Sequence, residues 1–146
     1  MRAKRLLLLS LILAAACKPP TPAEQLDSIL SWIGTAGMAG DAWLRHTTPD
    51  AYTRQTLELA SETIGQLAND LRATPIRTPD TASLDSTLTR SRDRIVRMAA
   101  LIAARNAPDF ARELDSLRLD QKLVKEYRTG RFRAVAKFPP SFGSKR

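Results

Sequence analysis

The sequence predicts an all-α fold, an antiparallel up-down four-helix bundle, and three observations carry that prediction. Apolar residues recur in alternating steps of three and four along four stretches, a helix-start signal of one chemical type precedes each stretch, and the connections are short. Helices are expected over residues 22–45, 49–72, 79–105 and 107–129. Each would be roughly 35 Å long at about 1.5 Å per residue, and matched lengths with short loops favour neighbours that run antiparallel.

The starts share a logic. Thr21, Pro22 and Glu24 open the first helix, Thr48, Pro49 and Asp50 the second, Thr78, Pro79 and Asp80 the third, and Asn106, Pro108 and Asp109 the fourth. In each, a side-chain oxygen can accept from an orphan amide, a proline suits the first turn, and a carboxylate sits near the positive end of the helix dipole.

The expected core faces follow from the periodicity. The first helix presents Leu26, Leu30, Ile33, Gly37, Gly40 and Leu44, and the second Leu57, Ala60, Ile64, Leu67 and Leu71. The third presents Leu84, Leu88, Ser91, Ile95, Met98 and Ile102, and the fourth Phe110, Leu114, Leu117, Gln121 and Val124. Trp32, Ala36, Ala39 and Trp43 line the flank of the first helix and are expected at the edge of the core. Gly130 suits a helix C-cap, and the alternation of Phe132, Ala134, Ala136 and Phe138 beyond it suits an extended segment.

Charge is distributed unevenly over the 146 residues, whose net charge is +8. Residues 17–117 carry 11 basic and 13 acidic groups, whereas residues 118–146 carry nine basic and two acidic. The body is nearly neutral and the C-terminal end strongly basic.

The N-terminal segment has a different character. Arg2, Lys4 and Arg5 precede an apolar run, Leu6 to Ala16, that is far shorter than the ~20 residues a spanning helix needs. Ala14, Ala15 and Ala16 then lead into Cys17, the single cysteine of the chain. A basic, apolar, small-residue order is that of an export signal. The segment resembles the precursor of a bacterial lipoprotein, a resemblance confined to residues 1–18. It implies cleavage after Ala16 and covalent lipid on Cys17, and Lys18, where an aspartate would favour inner-membrane retention, implies the outer membrane. The same residues also fit an ordinary A-x-A secretory cut. The prolines at 19, 20 and 22 make an extended spacer. The layout is thus a signal peptide at 1–16, an anchor and spacer at 17–22, a bundle at 22–129, and a basic, partly disordered tail at 130–146.

Constellations for catalysis do not emerge. His46 is the single histidine, at the end of the first helix, where a cation is mildly favoured. No E-x-x-H or H-E-x-x-H metal pattern occurs, no C-x-x-C-H haem attachment, and no glycine-rich phosphate loop between a strand and a helix. Met38 and Met98 read as core or rim residues. Glu58 and Glu62 stand beside Arg54 on what reads as a solvated face. The expectation is a non-enzymatic protein with no catalytic residue, metal or cofactor other than the lipid on Cys17.

Three features invite binding. Gly34, Gly37 and Gly40 within the first helix suit either close packing of a neighbour or a small-ligand notch. Leu119, Leu123 and Tyr127 form a second apolar stripe on the fourth helix, suited to cover by the tail, to a homodimer or to a partner helix. Arg131, Phe132, Arg133, Lys137 and Phe138 mix cations with aromatics. In an exported protein that mixture points to anionic lipid, a wall polymer or an acidic protein surface rather than to nucleic acid. Arg90, Arg94 and Arg97 read as a solvated ion-pairing face rather than an anion site. The leading reading is a lipid-anchored envelope bundle that binds an envelope partner; the alternatives are a small-ligand carrier or sensor and a hydrolase with an unrecognised carboxylate site.

Overall fold

The computed structural model describes residues 19–74 and 81–130. Four helices occupy them: α1 (Pro22–Leu44), α2 (Asp50–Ala73), α3 (Thr81–Ala103) and α4 (Ala107–Arg128). Each packs on its neighbour in sequence, α4 returns to pack on α1, and the diagonal α1–α3 contact is slight. This is the four-helix bundle that the periodicity predicts, its core lined by Ile33, Leu57, Ile64, Ile95, Met98, Phe110 and Leu114.

The helix starts are made in two ways. At α1 the capping box is complete: the Glu24 amide donates to Thr21 Oγ1 at 3.3 Å, and the Thr21 amide donates to Glu24 Oε2 at 2.6 Å. At α4 the Asp109 amide donates to Asn106 Oδ1 at 3.2 Å. At α2 the expected Thr48 cap does not form, because Pro49 itself is the N-cap residue and has no side-chain oxygen to offer. The Thr48 hydroxyl instead meets Thr53 Oγ1 at 3.0 Å, and Asp50 accepts from Trp43 Nε1 at 2.8 Å, tying the end of α1 to the start of α2. The Thr78 start lies outside the described residues.

Helix ends are made by backbone geometry. His46 and Arg105 both adopt left-handed conformations, with φ of 56° and 50°. Each completes a Schellman turn: His46 N donates to Trp43 O and Thr47 N to Ala42 O, while Arg105 N donates to Ile102 O and Asn106 N to Leu101 O. Gly130 takes the same place after α4, with φ of 65°, as its sequence position suggests.

The expected core face holds throughout α3. On α2, Leu67 is half-buried and Ala68 takes the core position, and on α4 Gln121 is half-buried at the edge. On α1 the face is rotated from the expected one. Ile29, Ala36 and Trp43 are buried, whereas Leu30 and Leu44 are half-buried and Gly37 lies at the edge. Residues 29, 36 and 43 share one line at spacing seven, and turning it inward buries an isoleucine and an indole in preference to a glycine with no side chain to bury. Trp43 is therefore a core residue, tilted against Phe110 with ring centroids 4.6 Å apart.

Among the described residues no helix is long and apolar enough to cross a membrane.

Candidate functional site

The fourth helix carries the chemistry, because it faces two seams of opposite kind. Toward α3 the seam is an ionic ladder. Asp120 is buried and accepts from Arg90 Nε and Arg94 Nε, each at 2.9 Å. Glu113 accepts from Arg94 Nη1 at 3.1 Å and from Arg97 Nε and Nη2 at 2.9 and 3.2 Å. The antiparallel crossing places an arginine row of spacing three and four against carboxylates seven apart, so each step along α3 finds its partner on α4.

The electrostatics follow from that arrangement. The hydrogen bonds from Arg97, and secondarily from Arg94, hold the Glu113 carboxyl below its ordinary value, against an opposing push from partial burial. Donating to Glu113 in turn raises Arg97. Both carboxylates are saturated by guanidinium donors, so neither is a free general base. The ladder is a structural device.

Toward α1 the seam is looser. Two ion pairs close its ends: Arg118 Nη2 donates to Asp41 Oδ1 and Oδ2 at 2.6 and 2.7 Å, and Arg128 donates to Asp27 at 2.8 and 2.9 Å. Between them opens a groove of about 830 Å³, lined by Leu30, Ser31, Gln121, Lys122, Lys125 and the two arginines. A cavity at the Arg97–Arg112 edge of the α3–α4 seam holds about 350 Å³. Lys122 and Lys125 make no ion pair among the described residues. The groove is cationic, with an apolar floor at Leu30, and can accept an anion.

The glycines of α1 divide. A Cβ at Gly40 would stand 3.2 Å from Leu114 Cδ1, Met98 Cε and Phe110 Cε1, and one at Gly34 would stand 3.2 Å from Gln121 Nε2. Both are close-approach positions. A Cβ at Gly37 meets nothing within 4 Å, so that glycine is not required by packing.

No known protein family, curated protein or solved structure matches this chain.

Of the residues singled out in the sequence, Leu119 is 66% exposed, Leu123 is half-buried and Tyr127 packs against the core. The three do not make one uncovered stripe. At 100° per residue a spacing of four drifts by about 40° each step, which carries the line from solvent at Leu119 toward α3 at Tyr127. Arg131, Phe132, Arg133, Lys137 and Phe138 lie outside the described residues, as does Cys17. His46 is exposed beyond α1, Met98 is fully buried and Met38 is exposed. Arg54 reaches Glu58 at 3.6 Å on an open face, as expected. Ser61 and Ser91 are buried, Ser91 on the expected core face, and donate to the carbonyls of Glu58 and Thr87 at 2.8 and 2.9 Å.

Two things were missed from sequence. Asp120 stands three residues after Leu117 and four before Val124, on the core-facing stripe, and a carboxylate there calls for a cation opposite; the arginine row of α3 was that signal. The groove left no such mark, because it is made by two helices nearly 90 residues apart in sequence. Among the described residues no three His, Cys, Asp or Glu side chains group closely enough to hold a metal ion.

Proposed function

We propose that this chain is a non-enzymatic helical bundle of the bacterial envelope, tethered by lipid on Cys17 and binding an envelope component through α4 and the basic residues that follow it. The observation that supports the reading best is a coincidence of ends. Cys17, preceded by a basic and apolar export-like run, stands five residues before Pro22, where the capped α1 begins. The last turn of α4, from which the basic tail continues, is bonded to the first turns of α1 through Arg128 and Asp27. The start of α1 and the end of α4 thus lie at one pole. A tether at that pole keeps the cations of α4 and the tail near the membrane surface, where anionic groups concentrate. The outer membrane is the proposed location, from Lys18.

The test is fractionation of cells expressing the parent chain and Cys17→Ser, with a metabolic acyl label. The parent should be labelled and sediment with membranes, and the variant should lose the label. An unlabelled parent would end the lipoprotein reading. Deleting residues 130–146 and repeating an in-cell crosslinking capture tests the tail: an unchanged partner set removes it from the function.

A further inference from the structure

We propose that the groove between α1 and α4 binds the phosphate headgroup of an acidic phospholipid in the leaflet to which the protein is tethered, with Lys122 and Lys125 as the cations that hold it. This rests on the tethered reading for the source of the lipid, and on the structure for the site.

The charge balance points to an anion. Four cationic side chains, Arg118, Lys122, Lys125 and Arg128, line the groove against one carboxylate, Asp27, which Arg128 already occupies. Arg118 is committed to Asp41 and Asp115. The two lysines are left over, one turn apart on the same edge of α4, and two ammonium groups at that spacing can share one phosphate diester. Elsewhere on α4 every cation is paired, and Glu126 is the one carboxylate of the helix without an ion pair among the described residues, so the two lysines leave a local excess of one positive charge.

Shape and position narrow the anion to a lipid. The groove has an apolar floor at Leu30 flanked by the Ser31 and Thr129 hydroxyls and the Gln121 amide, a lining suited to a glycerol-phosphate with the start of an acyl chain. It runs to the pole where α4 ends. Five residues separate Cys17 from Pro22, and a fully extended chain of that length reaches at most about 17 Å. The mouth of the groove therefore lies within reach of the headgroup layer when Cys17 is held in it. A free oxyanion would use the lysines but leave the floor empty.

The experiment is lysine footprinting on the full chain reconstituted into lipid nanodiscs. Discs of phosphatidylcholine alone are compared with discs in which about one lipid in three is phosphatidylglycerol, and acylation of each lysine is followed by mass spectrometry. In the acidic discs Lys122 and Lys125 should react about fivefold more slowly. Ser31→Trp, which fills the groove without changing charge, should restore their rates, and Lys122→Glu should restore that of Lys125; helical circular dichroism checks that both variants fold. Equal rates in the two discs would overturn the proposal. So would full protection retained in Ser31→Trp, which would mean surface attraction without a site. Equal protection in phosphatidylcholine discs by inorganic phosphate assigns the groove to a free anion, and by polyglutamate to an acidic protein surface; either overturns it. Whether Cys17 carries lipid does not enter this readout, because the chain enters the disc through its lipid or through the uncleaved apolar run, so the two readings fail separately.

Discussion

Arg128, in the last turn of α4, donates two hydrogen bonds to Asp27 near the start of α1, from Nε at 2.8 Å and from Nη2 at 2.9 Å. The pair joins residues 101 positions apart and closes the bundle at the pole where α1 begins and α4 ends. Both side chains are substantially exposed, so the pair is a local clamp more than a source of global stability. Asp27→Ala should leave global stability nearly unchanged while speeding amide exchange at Lys125 to Arg128 several-fold; unchanged exchange there would mean the pair holds nothing.

The ladder between α3 and α4 should behave differently. Asp120 is almost fully enclosed and receives two arginines, of which Arg94 is itself 21% exposed and Arg90 41%. Asp120→Ala leaves those cations facing each other, yet water reaches them in part. The cost should be about 2 kcal/mol, less than the ~3–5 of a fully buried broken pair. Urea unfolding measures it, and a loss under about 0.5 kcal/mol would place the ladder among ordinary surface pairs.

Acid should weaken the same seam. Glu113 is held below its ordinary 4.5 in the folded chain. The unfolded chain therefore takes up its proton first as pH falls, so the stabilisation is complete above about pH 5.5, declines through 4.5 and vanishes below the folded value. Glu113→Gln should be less stable than the parent at neutral pH, and the gap should narrow in calorimetry as pH falls through and below 4.5. A gap independent of pH would contradict it.

Two glycines of α1 separate helix propensity from packing. Gly37→Ala should stabilise by about 0.5–1 kcal/mol, since the new methyl meets open space and the backbone loses freedom only in the unfolded chain. Gly40→Ala should give no gain and cost on the order of 1 kcal/mol, because its methyl presses on Leu114, Met98 and Phe110. Thermal unfolding distinguishes them; equal gains at both sites would mean that the core yields freely.

The left-handed residues at the opposite pole make a further pair. His46→Gly and Arg105→Gly remove the Cβ penalty of φ near 50° and should each stabilise by roughly 0.5–1 kcal/mol. Their effects should add, as the residues end different helices, and denaturant midpoints report it. Destabilisation by either substitution would mean that its side chain contributes contacts outweighing the backbone strain.

The sequence by itself determined the helices and their order, because the signals involved are local. The Thr21 box, the Asn106 cap, Gly130 and the spacing of Leu84, Leu88, Ile95 and Ile102 each act within a turn or two of chain. Where two local signals competed, as at Thr48 and Pro49, sequence alone chose the wrong cap. Tertiary structure decided what depends on which helices meet. The rotation of α1 that buries Trp43 against Phe110, the enclosure of Asp120 by the α3 arginines, and the cationic groove between α1 and α4 all arise from contacts across long separations. A helix turns its largest apolar area inward once a neighbour is there to cover it, and charges find partners only where the crossing brings them. Local periodicity fixes which residues can share a face; the assembled bundle fixes which face wins.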